Sequence, residues 1–430
     1  MIKILKNLFF FTLLAGALSA AAQTTSSSPY SQFGLGDLKG SFLPQSRSMG
    51  GLSMGVRKPG FYDNINLANP ASYSNLKLTT FDIGASTDLR KLSKSGISGK
   101  NEFNSTLSHI TFGIPVNKFS ALSFGLLPYS DLGYKFKKSS VIDTNKVEYV
   151  YGGEGGVSKA YLGYGFSLGK NLSLGFNIGY LFGSLKENRA LEFPNDFTAF
   201  NSRTQFKHSI GGFSYDYGLQ YSANISKKTK LILGYTGNSG NKLNSSSNIV
   251  TTRYRKNIMG DELNAVDSTY FLAGAKNNIN MPLTHTAGFA FEKTNVWLIG
   301  ADVSYSKWSD YREGNRDPGL NDSYGLALGG QFTPDATSIS NYFKLIDYRF
   351  GFKYDKTFVK INDTDINQYA VTFGFGLPLP RDRTTFYKIN LSAEMGQRGT
   401  ENNNLVRDRY VNINLGFTLN DKWFQKIYIE

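Results

Sequence analysis

From about residue 78 onward, apolar residues alternate with small or polar ones in short segments, and turn residues separate the segments. In Tyr410 to Leu419, the residues Val411, Ile413, Leu415, Phe417 and Leu419 share one face, while Asn412, Asn414, Gly416 and Thr418 share the other. Successive side chains of a strand point to opposite sides, so this period of two predicts a strand with one apolar face. Fourteen segments read this way: 78–88, 105–114, 119–129, 157–168, 171–184, 206–223, 229–237, 283–293, 296–306, 322–333, 345–355, 367–377, 386–397 and 408–419. The connections sort by parity. The odd ones are long (89–104, 130–156, 185–205, 238–282, 307–321, 356–366, 398–407), and the even ones are mostly short (115–118, 169–170, 224–228, 294–295, 334–344, 378–385). An even strand number with long loops on one side and tight turns on the other predicts an all-β, fourteen-stranded antiparallel transmembrane barrel, 78–430, with both termini in the periplasm. Phe176, Ile178, Tyr180, Val371, Phe373 and Leu415 fall on its lipid face.

The opposite parity is rich in glycine: Gly113, Gly125, Gly165, Gly175, Gly218, Gly234, Gly288, Gly300, Gly329, Gly351, Gly374 and Gly416 among others. Glycine weakens a strand and packs nothing, so it fits where another backbone comes close. It also tapers and bends a sheet, which is the plainer explanation. Residues 23–77 precede the first strand and mix glycine with large apolar residues, without strand periodicity. They are expected to fold into the lumen as a hatch; a disordered leader is the alternative, and the apolar content speaks against it.

The chain opens with a basic n-region (Lys3, Lys6), an apolar stretch from Leu8 to Leu18 and small residues Ala20, Ala21 and Ala22. That is the pattern of a secretory signal peptide, 1–22. The apolar run is shorter than the ~20 residues a spanning helix needs. There is no cysteine, so no disulfide framework holds the exported chain. Barrel closure would do so, because it leaves no unpaired edge. Aromatic residues make up 14% of the chain and fit a lipid face with interfacial girdles. The net charge of +14 would ordinarily suggest nucleic acid. In an exported barrel, outer-membrane lipid and the phosphates of lipopolysaccharide are the better partners.

Catalytic chemistry is not legible. His109, His208 and His285 lie on different predicted strands, and no nucleophile elbow or His-x-x-x-His spacing is present. Residues 362–367 (Asn-Asp-Thr-Asp-Ile-Asn) resemble half of a calcium loop but lack its glycine and closing glutamate. Neither a metal nor a cofactor is expected. Inward parity collects Asp82, Asp216, Glu292, Asp302, Arg349, Lys353, Lys388 and Glu394. Most would form a structural network. A site for an amphiphile's carboxylate would need one cation left unpaired, with Arg349 or Lys353 as candidate.

Three stretches carry a family resemblance: Arg47-Ser-Met-Gly-Gly-Leu-Ser-Met-Gly-Val56 with Asn69-Pro70-Ala71; Phe373-Gly-Phe-Gly-Leu-Pro-Leu379 with Ile389 to Thr400; and Leu415 to Phe424. They resemble the FadL family of outer-membrane transporters for long-chain fatty acids and other hydrophobic molecules, in the branch typical of gliding, surface-secreting Gram-negative bacteria. The resemblance implies a hatch formed by Arg47, Gly50, Gly51, Asn69, Pro70 and Ala71. It also implies passive uptake of hydrophobic compounds. That family has a kink in its third strand that opens the wall sideways, and here Pro128, Tyr129 and Gly133 interrupt the third strand. Proline cannot donate to a ladder, so 127–133 is expected either to break the wall or to begin the loop. The family also holds barrels that serve as subunits of secretion machines, so a non-transporting subunit of an outer-membrane secretion or assembly complex is the second expectation. The chain departs from the usual terminal aromatic of such barrels, and Phe424 or Tyr428 would take that role.

Overall fold

A computed structural model describes residues 28–57, 60–142, 145–380 and 385–423. The expected signal peptide and the terminal residues Phe424 and Tyr428 lie outside the described residues.

A two-residue strand comes first, β1 (Asp37–Leu38), and then the wall begins: β2 (Thr79–Lys94), β3 (Ile97–Asn117), β4 (Ser120–Ile142), β5 (Asn145–Leu168), β6 (Leu172–Glu192), β7 (Asn201–Asn224) and β8 (Thr229–Asn238). A hairpin, β9 (Lys242–Tyr254) and β10 (Asp267–Asn280), interrupts it. The wall resumes with β11 (Thr284–Lys293) and β12 (Trp297–Ser306), passes the short β13 (Arg312–Glu313), and continues with β14 (Ser323–Phe332), β15 (Asp347–Ile361), β16 (Thr364–Pro378), β17 (Phe386–Arg398) and β18 (Val406–Asp421). Each wall strand pairs antiparallel with the next, and β18 returns to β2 from Val406↔Lys94 to Asp421↔Thr79. The wall is a closed fourteen-stranded antiparallel barrel, and all fourteen expected segments are in it.

Two expectations need correction. Stretches 89–104 and 130–156, read as loops, are mostly strand: β4 and β5 stay paired out to Ile142↔Asn145. Stretch 356–366 is a hairpin whose turn is Asn362 and Asp363, at φ 49° and 59°, a left-handed pair suited to a two-residue turn. Beyond the lipid band both faces of a strand meet water, so the alternation that marks a strand disappears. The parity survives as overhang on one side of the barrel.

The lipid-face assignment agrees with exposure. Phe176, Ile178, Tyr180, Val371, Phe373 and Leu415 all stand exposed on the outer surface. Their neighbour Thr372, on the inner face, is fully buried and accepts a hydrogen bond from Gly50 N at 2.8 Å. Phe373→Arg is expected to lower barrel stability by about 2–4 kcal/mol, the cost of a cation at mid-bilayer. Thr286→Arg, which points into a cavity inside the wall, is expected to lower it clearly less. Urea titration in lipid vesicles reads both, and equal costs would refute the parity.

The hairpin β9–β10 pairs along the outer half of β7, from Asn201↔Tyr254 to Gly211↔Asn244. Its tip exposes Ile258 and Met259. Protease added to whole cells is expected to cut within 255–266 before 334–344. The reverse order would invert the topology.

Candidate functional site

The residues before β2 pack along the inward face of the wall. A short helix, α1 (Pro44–Arg47), starts on proline, which its first turn tolerates. Arg47 then ties the segment to itself, donating from Nε to the Phe42 carbonyl at 2.9 Å and from Nη2 to the Lys39 carbonyl at 2.8 Å. Gly50 and Gly51 follow at φ 72° and 92°, a turn that side chains resist.

Asn69 caps the 3-10 turn Pro70–Asn75, accepting from Ala71 N at 3.2 Å. Its amide donates to the carbonyls of Met54 at 3.1 Å and Leu219 at 3.4 Å. Ala71 is fully buried. Wall side chains complete the anchoring. Asp302 accepts from Ser53 N and Met54 N at 2.7 and 3.0 Å, and Gln220 donates to the Met54 carbonyl at 2.7 Å. Asn420 exchanges two hydrogen bonds with the Asp63 backbone.

Several inward glycines exist for this contact. A methyl group at Gly234 would overlap the Met54 carbonyl, and one at Gly175 would overlap Pro70. Gly329 and Gly351 meet Met49 and Gly50 in the same way. Others do not: Gly125, Gly288 and Gly300 face neighbouring strands. The two explanations of inward glycine therefore divide by position.

Neither cation proposed for a ligand carboxylate is unpaired. Arg349 donates to Gln331 and Asn390 at 2.8 Å and to Asp347 at 2.9 Å. Lys353 pairs with Glu394 at 2.5 Å. Asp347, two residues before Arg349 on the same face, also holds Lys388; this internal carboxylate is what the sequence reading overlooked. A second missed pair joins adjacent strands, with His109 Nε2 and Asp82 Oδ1 2.7 Å apart and both buried. His285 instead lies on the outer face, 2.8 Å from the Tyr235 hydroxyl.

Ion pairs also join the N-terminal segment to the wall. Asp37 meets Arg398 at 2.5 Å and Arg90 at 3.8 Å. Burial works against its charge, but Arg398, Arg90 and Lys39 outweigh that and hold it below the usual carboxylate range. Beyond these groups lies a cavity of about 540 Å³ whose lining includes Lys39, Asp88, Lys353, Asp355, Ser304 and Thr286. The overhanging strands above it close on an apolar core that includes Tyr30, Leu35, Leu132, Val157, Trp308, Tyr311 and Phe358.

Pro128, Tyr129 and Gly133 sit where the wall changes. The β3–β4 ladder runs from Asn117↔Ser120 only to Ile110↔Leu126, although both strands continue. Tyr129 is skipped in the β4–β5 register, and Ser108 in the β2–β3 register. A bulge thus stands on each side where pairing stops, and bulges bend a strand and end its pairing. β1 takes up part of the free β4 edge, pairing Asp37↔Asp131 and Leu38↔Ser130. The Gly133 carbonyl accepts from Ser28 N at 3.0 Å.

Comparison with known proteins follows the same architecture. The Pseudomonas putida toluene transporter TodX is 17% identical, with a TM-score of 0.59 over 91% of this chain and 100% of that one. The Ralstonia pickettii toluene transporter TbuX is 14% identical, with a TM-score of 0.55 over 88% and 98%. A Pseudomonas aeruginosa FadL homologue is 10% identical, with a TM-score of 0.55 over 90% and 100%. The barrel is therefore FadL-like. No curated protein matches the sequence. The protein-family model BamG matches residues 1–430, the full length. On that match the chain belongs to the BamG family.

Proposed function

We propose that this protein is an outer-membrane barrel for passive uptake of hydrophobic molecules such as long-chain fatty acids. In this reading residues 23–77 form a hatch in a barrel of residues 78–430, and cargo leaves sideways between β3 and β4. The observation that carries it is the ladder that stops at Ile110↔Leu126 with a bulge on either side. A sideways exit spares a hydrophobic molecule the aqueous periplasm. Toluene transporters among the solved neighbours support the same class of cargo. The test is uptake by a strain in which deleting the protein abolishes it: Gly133→Trp, bulky beside the gap, is expected to reduce uptake. Unchanged uptake would end the reading.

A second reading rests on different features. The overhang packs into an apolar core instead of an open apolar groove, and the cavity beneath is lined by charges. The β9–β10 hairpin carries exposed Ile258 and Met259 side by side at its tip, and Tyr270 and Phe271 on its two faces, beyond the wall. Large apolar side chains left in water are candidates for a protein contact. These favour a non-transporting subunit of an outer-membrane secretion or assembly complex. Stoichiometric co-purification of a large partner from detergent extracts, lost on replacing Ile258 and Met259 by serine, is the outcome expected of it. An isolated monomer carrying bound hydrophobic compound is the outcome expected of uptake.

A further inference from the structure

Above Ile110↔Leu126 β3 and β4 are unpaired. The N-terminal segment takes the β4 edge from Tyr129 to Gly133, and Asn104 reaches Asp131 at 3.4 Å. The gap is therefore the stretch below these contacts, beside Leu127 and Pro128, with an apolar outside and a charged inside. It starts seven residues above the turn that joins the two strands. At ~3.3 Å per residue and a tilt of roughly 40°, that is about 15–20 Å up a lipid band about 25 Å tall. Outward, Leu107 and Leu126 are exposed beside it. Inward, the 540 Å³ cavity reaches it from both sides, lined by Thr106 of β3 and Pro128 of β4, and runs on to Lys39 and Asp88. Hydrocarbon placed in this cavity would desolvate charges and give nothing back. A water-soluble solute would have no use for a gap that faces lipid. One molecule suits both sides: an amphiphile with its polar end in the cavity and its tails in the membrane.

We propose that the cavity receives the headgroup of a membrane phospholipid bearing both a phosphate and an amine, while the acyl chains stay in the bilayer and pass between β3 and β4. Lys39 is the phosphate-binding cation. Its contacts to Asp88 and Asp131 are 3.4 and 3.8 Å, long for charged hydrogen bonds, so a phosphate oxygen at about 2.8 Å is the better partner. Asp88, released from Lys39, takes the amine. Lys39 and Asp88 remain paired whether the site is empty or filled, and Asp131 keeps the Asn104 amide at 3.4 Å. This rests on the wall gap described above and not on transport. Headgroup entry can occur in a barrel that moves nothing across the membrane.

The absence of cysteine makes the test direct. Ser86→Cys and Ser304→Cys place thiols on two walls of the cavity; Ser392→Cys places one on the inner wall outside it, where Ser392 is buried. The full-length protein is reconstituted in phosphatidylcholine vesicles containing phosphatidylethanolamine with a maleimide on its amine. This probe keeps the phosphate for Lys39 but not the ammonium for Asp88. Unlabelled phosphatidylethanolamine is therefore added as competitor, and it is expected to slow labelling in the intact site and to compete less well in Asp88→Asn. Both cavity thiols are expected to gain the mass of one lipid, and the Ser392→Cys thiol none. Lys39→Glu is expected to slow labelling of the Ser86→Cys thiol severalfold, without changing its rate with a small water-soluble maleimide. Glycerophosphoethanolamine carrying the same maleimide but no tails should react more slowly than the lipid. Overturning results are a cavity thiol that reacts with the soluble reagent but not the lipid, one that reacts with neither, or a tail-less headgroup that reacts as fast as the lipid. Hydrophobic-compound uptake measured on the same variants separates failure of this site from failure of the transport reading.

Discussion

Deleting residues 30–72 is expected to give a barrel that still inserts but conducts small ions, where the intact protein is nearly silent in a planar bilayer. The wall strands close without the segment, β18 pairing β2 from Val406↔Lys94 to Asp421↔Thr79, and the deletion removes only the β1 pairs on the β4 edge. The lumen is expected to open without it. Buried Leu43, Met49, Leu52, Met54, Ile65 and Leu67 all come from the deleted stretch, and the glycines at 175, 218, 234, 329 and 351 have no side chains to refill the space. A fourteen-stranded wall lies between eight-stranded barrels, which side chains fill, and sixteen-stranded porins, which hold an aqueous channel. Emptied of the segment and lined by glycine, it is expected to behave as the latter. Gly234→Leu tests the same point with the full chain, because its side chain must displace the Met54 backbone. It should raise conductance partway and expose the segment to protease from the periplasmic side. If neither variant conducts more than the intact protein, residues 30–72 do not block the lumen.

The sequence shows the parts of this protein that lipid constrains, and hides those that depend on strand register. Within the bilayer each outward residue must be apolar, so Val411 to Leu419 announces its strand and its face together. Outside the bilayer that demand ends. The hairpin β9–β10, from Lys242 to Asn280, reads as loop because Thr251, Thr252, Lys276 and Asn277 can sit on either face of a strand in water. Register decides the charge pairs as well. Asp37 meets Arg398 from 361 residues away, and His109 meets Asp82 because the register sets Gly84 opposite His109 and Asp82 opposite Thr111, which makes the two diagonal neighbours on one face. The motif residues Arg47, Gly50, Gly51 and Asn69 came from the family resemblance alone; in the structure each answers a backbone need: a carbonyl to bind, a left-handed turn, a cap. The end of the β3–β4 ladder was half legible. Pro128 marks the level of the break, but the end of the β3–β4 ladder is a property of two strands, and Ser108 carries no sequence signal.

Asp347→Ala is expected to destabilise the barrel by about 3–5 kcal/mol, the usual loss when one member of a buried ionic group is removed and the rest is left uncompensated. Asp347 begins β15 with its side chain 5% exposed, between Arg349 at 0% and Lys388 at 3%. One carboxylate therefore serves two buried cations, and Thr333 Oγ1 also donates to it at 2.8 Å. Gln331 and Asn390 satisfy two of the Arg349 donors but supply no charge. Without Asp347, two positive charges face each other across β15, β16 and β17 with no carboxylate between them. Asp347→Asn should cost less than alanine, since an amide oxygen still accepts hydrogen bonds, yet more than a surface change. Removing one cation as well, as in Asp347→Ala with Lys388→Met, should recover part of the loss, because it relieves the repulsion and Met fits the apolar length of the lysine stem. Urea unfolding of the reconstituted barrel, followed by tryptophan fluorescence, measures all three. A loss under about 1 kcal/mol for Asp347→Ala, in the range of exposed pairs, would mean that water reaches this cluster and that the lumen is wet at the start of β15.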